Sequence, residues 1–593
     1  MPTNTEQSTG ENRGESAEKD RSNPGRETAD YELPQSLTKE AGPLRNIGDK
    51  EIKENLISEN MSVTDIRGSD NEKGSTDIPD QTIWKTKGWK WVAFNFSILS
   101  CAFLFALDNT IVANIQPVIV LEFNSVSKIT WMSTALLLTA ASTNLIWGKI
   151  FAQLEAKWTY IFCVAMFELG SGICGVAQNM NTMIIGRAIC GLGGSGMYVG
   201  ALTLIAANTT IKERPLYISF TGLVWGIGTV LGPIVGGAFS VSAGGWRWSF
   251  YINLIIGLAC APIYVFLIPK WHPRPGVSFS ERVREMDYVG AVLTIGALFS
   301  GVMPISFGGV EYAWSSPEII SMFVCSGVLF IILGIQQVYT IFTTKENRVI
   351  PLEFFQSRSM LILFGCTAAG GGVAFLAIYM IPIFFQFTRS DTALESGVRL
   401  LPYIFLLVFG VSLNGGILSV YGLYMPWFVV GSIFTIIGGA LMYTVESTTA
   451  TAVVYGYSII LGWGLGLFAQ CGFAVAQALV EPSVVPLAVG FMSCAQLTGI
   501  TITLSGANSI FLNRAKSSIV ALLPGVPQEL ISSAIAGAGS RFVKNLDGEL
   551  REKVLAAVVR ANSDAYLLAI ILGSICLILS LFLKREKLFL PAM

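Results

Sequence analysis

Three ionisable residues stand inside long apolar stretches: Asp108, Glu168 and Arg187. A charge held in hydrocarbon costs about 3 kcal/mol on insertion scales, so such residues are functional candidates. Asp108 falls toward the outer end of the first apolar segment, which runs outward. Arg187 falls toward the outer end of the fourth, which runs inward. An acid and a base at one depth on two helices can pair. Such a pair can hold a proton in one conformation and release it in another. It can also be a fixed bridge that only specifies helix packing, and the sequence leaves both readings open. Glu168 lies near the middle of the third segment, with Gly170, Gly172 and Gly175 beside it. It is either a third proton-coupling group or a residue of a tightly packed helix.

Other polar residues narrow the chemistry. Asn144, Asn253, Asn414, Gln470, Gln477, Gln496 and Asn508 lie in apolar segments, where amides form helix–helix hydrogen bonds or ligand contacts. The single histidine, His272, lies in a loop, so a histidine relay inside a membrane is excluded. All ten cysteines fall in apolar segments without CxxC spacing and read as small packing residues. No Gly-x-x-x-x-Gly-Lys-Ser/Thr loop and no His/Cys/Asp cluster is present, which argues against ATP drive, a metal and an enzyme. A net charge of −1 without a basic stripe points to no nucleic-acid partner.

The elements that position these residues are membrane helices. The chain has 593 residues, 52% hydrophobic and only 13% charged, against about 25% charged in average soluble proteins. A spanning helix needs about 20 apolar residues. Fourteen such segments lie near residues 91–112, 129–150, 158–178, 183–207, 215–240, 248–268, 287–307, 318–342, 359–384, 397–416, 424–443, 452–479, 486–511 and 564–583. The fold class is an all-α polytopic membrane protein. Lys85, Lys87 and Lys90 precede the first span, and Lys149/Lys157, Lys212/Arg214, Lys270/Arg274/Arg282/Arg284 and Lys345/Arg348/Arg358 mark alternate loops. Lys584, Arg585 and Lys587 follow the last span, so the positive-inside rule places both termini in the cytoplasm. Residues 1–88 are polar and poor in aromatics, the composition of a disordered cytoplasmic tail without an early apolar signal core. An amphipathic segment, about 512–563, is expected outside, and 585–593 form a cytoplasmic tail. The sequons at Asn60, Asn95 and Asn208 fall inside or within the membrane, so no N-glycosylation is expected.

The fifth span carries an unusual run, Gly222-Leu-Val-Trp-Gly-Ile-Gly-Thr-Val-Leu-Gly-Pro-Ile-Val-Gly-Gly237. In water, each interior Gly would cost a helix about 1 kcal/mol and Pro233 about 3 kcal/mol. In a bilayer the backbone has no competing water, and the missing side chains become a close-packing face. Gly222/Gly226, Gly228/Gly232 and Gly232/Gly236 are GxxxG pairs, and the face is expected to lie against another helix at the interface between bundles.

These residues resemble the major facilitator superfamily, and within it the fourteen-span drug:proton antiporters of fungi, over about residues 91–583. Leu107-Asp-Asn-Thr-Ile-Val-Ala-Asn-Ile-Gln-Pro117 is similar to the family's helix 1 motif. Gly186-Arg-Ala-Ile-Cys-Gly-Leu-Gly-Gly-Ser-Gly196 is similar to its helix 4 motif, whose arginine the resemblance links to proton coupling. The run ending Gly232-Pro-Ile-Val-Gly-Gly237 resembles the helix 5 antiporter motif, and Trp246-Arg-Trp-Ser-Phe-Tyr-Ile-Asn253 the entry to helix 6. Tyr379-Met-Ile-Pro-Ile-Phe-Phe-Gln-Phe387 and Ser396-Gly-Val-Arg-Leu-Leu-Pro402 resemble later signatures. One motif departs. The superfamily's loop between helices 2 and 3 usually reads Gly-x-x-x-Asp-x-x-Gly-Arg-Arg/Lys. Here Gly148-Lys-Ile-Phe-Ala-Gln-Leu-Glu-Ala-Lys157 puts Ala152 at the acid, and Glu155 and Ala156 at the glycine and first arginine. The usual charge latch of the cytoplasmic gate is degraded.

The resemblance implies two six-helix bundles, 89–270 and 359–584, rocking about a central cavity, with a loop and two linking spans over 271–358. It implies proton-driven export of hydrophobic small molecules (a toxin, secondary metabolite or drug) by a monomer without a cofactor. The expected proton-coupling residues are Asp108, Arg187 and Glu168. The expected conformational motif is Gly222, Gly226, Gly228, Gly232, Pro233, Gly236 and Gly237. Trp225, Phe384, Phe385, Gln386, Trp463 and Gln470 are expected to line the cavity, since aromatic faces with a few amides suit broad apolar ligands. Alternative readings are import of siderophore–iron or another small molecule within the same superfamily, and a receptor without net flux. The expected location is the plasma membrane, with a vacuolar or vesicle membrane as the alternative.

Overall fold

The computed structural model describes residues 88–588 apart from 124, 126–127, 243, 309–311 and 528–545. The tail expected over 1–88 therefore lies, but for Gly88, outside the described residues. So do the last five residues of the C-terminal tail and the middle of the expected outer loop.

The N-terminal bundle comprises α1 (Trp89–Phe123), α2 (Ile129–Gln153), α3 (Ala156–Val176), α4 (Met180–Asn208), α5 (Arg214–Val241) and α6 (Trp248–Phe266). A short helix, α7 (Phe279–Arg284), leads to α8 (Tyr288–Phe307) and α9 (Pro317–Val338). The C-terminal bundle runs through α10 (Leu352–Gln356), α11 (Arg358–Arg389), α12 (Ala393–Val398), α13 (Leu401–Tyr421), α14 (Met425–Tyr443), α15 (Thr451–Gly466), α16 (Cys471–Ala478), α17 (Val485–Leu522), α18 (Gly548–Asp564) and α19 (Leu567–Leu581). Among the described residues fourteen helical segments are long and apolar enough to cross a membrane, the number expected. The only bridges there are the isolated pairs Gly308–Tyr312 and Leu423–Lys587.

Local chemistry sets many of the ends. Asn179, Ser316 and Ser357 each accept a hydrogen bond from a first-turn amide of the helix they precede, satisfying a donor that the helix cannot. Thr392 and Glu395 form a reciprocal capping box at α12. Pro233, Pro262, Pro304 and Pro382 lie inside helices, which neighbouring membrane helices tolerate.

Three elements differ from the sequence expectation. Helix α1 continues past the apolar stretch to Phe123. The twelfth span, expected unbroken over 452–479, is two helices, with a break between Gly466 and Cys471 that holds Gln470. Helix α17 has 38 residues, a length of about 57 Å, well beyond a hydrocarbon core of about 30 Å. The expected outer loop is thus helical on both described flanks, α17 to Leu522 and α18 from Gly548.

The bundles meet chiefly along two helix pairs, α5 with α13 and α2 with α17, with smaller contacts of α5 with α12 and α16 and of α4 with α17. Helix α8 packs against both α2 and α17, and α9 packs on α8. Ile320, Val324, Ile331, Ile335 and Val338 leave one face of α9 exposed and apolar, the surface a lipid-facing helix presents. The end of the molecule where α1 begins is called here the near end, and the opposite end the far end.

Candidate functional site

Asp108 and Arg187 meet. Arg187 Nη1 donates to Asp108 Oδ2 at 2.6 Å, and both side chains are sealed from solvent. The same nitrogen reaches the Asp108 carbonyl at 3.2 Å, and Arg187 Nε donates to the Met132 carbonyl at 3.3 Å. Asn253 on α6 donates to the other carboxylate oxygen at 3.3 Å and to Ser171 Oγ at 2.9 Å. The pair is therefore a node joining α1, α2, α3, α4 and α6. Glycines make this crowding possible: a Cβ at Gly186, Gly191 or Gly193 on α4 would stand under 2.7 Å from atoms of the neighbouring helices. A buried guanidinium bonded to a carboxylate and two carbonyls is held as a cation, and the carboxylate is its only acidic partner among the described residues.

Glu168 lies apart from this pair. Its side chain rests over Gly257 of α6, where a Cβ would fall 2.3 Å from Oε1. Neither carboxyl oxygen has a hydrogen-bond partner.

The glycine run of α5 presents two faces rather than one. Gly228, Gly232 and Gly236 lie against α1, where a Cβ at Gly232 would fall 2.0 Å from Thr110 Oγ1 and one at Gly236 2.7 Å from the Ile111 carbonyl. This face packs inside the N-terminal bundle, which corrects the expectation that it meets the other bundle. Gly222 and Gly226 face the other bundle, toward Gln470, Val411 and Val408, and Pro233 lies 3.2 Å from the Cβ position of Gly397. Six residues separate Gly222 from Gly228, close to a 120° offset around a helix of 3.6 residues per turn, so the two stripes look in different directions. Gly237 ends the run within α5.

A narrow cleft of about 50 Å³ lies between the bundles. Gly222, Trp225, Gly226 and Thr229 line it from α5, Gly370, Gly371 and Ala374 from α11, and Ile404, Leu407 and Val411 from α13. Gln470, at the break between α15 and α16, and Gln496 on α17 add its amides. Gln470 Oε1 is buried without a partner. Trp225 also meets Phe105 and Tyr198 edge-on at 5.5 and 5.2 Å. Of the residues expected in the cavity, Trp225 and Gln470 line this cleft and four do not. Phe384 and Phe385 are fully buried against each other, with Arg399 over the Phe385 ring. Gln386 donates to the Ser396 hydroxyl at 3.0 Å, and Trp463 stacks on Phe409. Their helix faces point into the C-terminal bundle or its periphery, which an aromatic count cannot reveal.

The near end is closed by backbone-level contacts. Gly148 on α2 and Gly490 on α17 meet Cα to Cβ position at 3.0–3.1 Å, and Gly415 of α13 meets Ser219 of α5. Arg214 donates to the Gln477 carbonyl at 3.3 Å across the bundles. Where the charge latch is degraded, a different network stands. Lys149 Nζ donates to the Glu346 carbonyl at 2.6 Å, Gln153 Nε2 to Asn347 Oδ1 at 3.2 Å, and Arg274 Nη1 to Gln153 Oε1 at 2.6 Å. Arg274 also pairs with Glu285. Behind it, buried Asp287 accepts from Gln336, Gln337 and the amides of Gly290 and Val349. Sequence reasoning missed this network and Ser171. The adjacent amides Gln336 and Gln337, closing an otherwise apolar run, were the available signal for it.

Residues 98–504 match the sequence profile described as Major Facilitator Superfamily. The chain is 51% identical to the "MFS-type transporter pgmG" of Aspergillus terreus, over 88% of this chain and 94% of that one. It is 46% identical to the "Efflux pump alnA" of Emericella nidulans, over 85% and 92%. It is 40% identical to the "Phomenoic acid biosynthesis cluster MFS-type transporter" of Leptosphaeria maculans, over 90% and 88%. In fold it resembles the proton:xylose symporter XylE, with a TM-score of 0.52 at 13% identity, over 83% of this chain and 94% of that one.

Proposed function

The chain belongs to the Major Facilitator Superfamily, and from that premise we propose that it exports a hydrophobic secondary metabolite or toxin from the cell by alternating access, driven by protons. The observation that carries export is its kinship, over most of its length, with a named efflux pump and a named biosynthesis-cluster transporter. The cleft lining suits that cargo: glycine and aliphatic walls, one indole, one phenyl ring, one hydroxyl and two amides, with no charged side chain among its lining residues. Proton drive rests on the sealed Asp108–Arg187 pair, a charge pair whose separation would let the acid exchange its proton.

In this reading the near end is cytoplasmic, the plasma membrane is the host membrane, and a monomer suffices. Cargo enters the cleft when the near-end contacts part, and leaves when they reform. An outside proton reaching Asp108 weakens its bond to Arg187 and favours return to the inward-open state.

The test is comparison of a deletion strain with its parent by untargeted profiling of extracts and medium. The reading expects an apolar metabolite to rise inside the cells and fall in the medium, with restoration by the intact chain and not by Asp108→Asn. Unchanged partition of every metabolite contradicts it.

A further inference from the structure

One polar feature of the N-terminal bundle takes no part in the cleft. Four residues on one face of α6, Asn253, Gly257, Cys260 and Tyr264, are buried. Their spacings of four, three and four residues form a single stripe. Each meets a polar partner. Asn253 bonds Asp108 and Ser171. Gly257 carries the Glu168 carboxyl, whose two oxygens are buried and unpartnered. Cys260 Sγ lies 3.4 Å from Ser100 Oγ. Tyr264 Oη lies 2.9 Å from Cys101 Sγ and 3.4 Å from Ser100 Oγ, with the Tyr160 ring edge-on to its own at 6.1 Å. The stripe spans twelve residues, roughly 16 Å of helix, from the Asp108 level toward the near end.

The seam is walled from the cleft by α1. On its other side, Phe162 and Leu169 of α3 and Ile255, Leu258 and Phe266 of α6 are exposed and apolar. None of the seam residues lines the cleft. A membrane helix does not retain an unpaired acid and a row of hydroxyl and thiol groups for packing alone, since apolar residues would fill the space without leaving polar atoms unsatisfied.

We propose that this seam is a proton route separate from the cargo route: Glu168 receives the proton that Asp108 releases, and Ser100, Cys101 and Tyr264 pass it to the near end. The proposal rests on the proton-coupled reading of Asp108. Glu168 lies one helical turn from Ser171 on its own helix, and over the midpoint between Asn253 and Cys260, so rotation of its side chain serves both halves of the seam. Each carrier gives up one proton as it gains one, so Glu168 and Tyr264 end in their starting states and one proton has moved from the Asp108 level to near-end water. The titratable groups flanking Glu168 along the seam are Asp108 and Cys101 on α1, Tyr160 on α3, Arg187 on α4, and Cys260 and Tyr264 on α6. With cargo and proton on different paths, a bulky apolar cargo need not displace the proton by contact; the two communicate through the position of α1.

The experiment is infrared difference spectroscopy of the full chain in lipid vesicles after a pH jump on the near face, without cargo. A carboxylic C=O band that follows the jump is expected in the parent and absent in Glu168→Gln. Tyr264→Phe, which removes one hydroxyl and keeps the ring, is expected to retain the band and slow its response at least tenfold. Glu168→Gln with every carboxylic band intact, or Tyr264→Phe responding at the parent rate, overturns the route. Failure of the underlying reading is distinct: a band assigned to Asp108 by its loss in Asp108→Asn would then show no response to pH, whatever the Glu168 band does. Thermal melting of each variant confirms that the bundle is folded.

Discussion

Lys149 donates to the main-chain carbonyl of Glu346 at 2.6 Å, tying the near end of α2 to the loop that follows α9. The acid of the usual loop motif is absent, and Ala152 stands in its place. A lysine bonded to a carbonyl, an amide pair and a buried aspartate hub do the fastening instead. The two linking helices are thereby more than a tether: their near ends hold α2 where it meets α17.

Lys149 is itself buried, and its removal leaves the Glu346 carbonyl without its charged donor. Lys149→Ala is expected to lower stability by about 1–3 kcal/mol, read as a fall in melting temperature in detergent. The same variant should expose the near-end face to a water-soluble thiol reagent, with Ser219→Cys, buried against Gly415, as reporter. Unchanged melting and labelling would contradict a fastening role.

A Cβ at Gly148 would stand 2.9 Å from the Pro486 carbonyl and 3.1 Å from the Gly490 Cα, an overpacking that should hold the near end apart. Gly148→Ala is therefore expected to slow export, read as the rate of metabolite efflux from loaded cells. Export at the parent rate would mean that this contact does not have to close.

The two glycine stripes of α5 predict different defects. Gly232→Ala drives a methyl into Thr110 and the amide of Ile111, an overpacking that costs about 1–3 kcal/mol. Gly226→Ala meets only the tip of Val408 and one methyl of Ile404, so melting should change little while export slows, because this face slides on α13. Equal melting of the two variants would refute the assignment of faces.

Beyond the spans, Glu122 receives the Trp246 indole N–H at 2.6 Å and pairs with Arg247 at 2.9 Å. The indole hydrogen bond, and then the arginine, hold its carboxyl below the ordinary carboxylate value. A depressed carboxyl contributes stability above the unfolded carboxylate value of about 4, and that contribution is lost as pH falls through the lower folded value. Glu122→Gln should therefore melt below the parent at neutral pH, with the gap closing as pH drops below about 4. The side chain is 41% exposed, so the effect is small and weakened by salt. A gap independent of pH would contradict the ionised pair.

The fold was legible because its signals are strong and local. Long apolar runs gave the fourteen spans, and a charge within such a run stands out, which is how Asp108 and Arg187 could be paired by depth alone. Rotation about a helix axis was not legible. Phe384, Phe385, Gln386 and Trp463 lie on segments apolar all round, where nothing in the sequence marks the face toward the cleft. For the same reason the glycines of α5 read as one smooth face, although half of them serve α1. The fastening by Lys149 joins residues nearly two hundred apart, through a backbone carbonyl that every residue possesses.

Export driven through the Asp108–Arg187 pair is the central claim, and transport in inside-out membrane vesicles tests it most directly. The exported metabolite, identified by the profiling above, is offered with and without an imposed proton gradient. The parent should accumulate it only with the gradient. Asp108→Asn should lose gradient-driven accumulation at least tenfold while still exchanging labelled for unlabelled metabolite at equal pH. Gradient-driven accumulation at the parent level in Asp108→Asn and in Arg187→Ala would contradict the account.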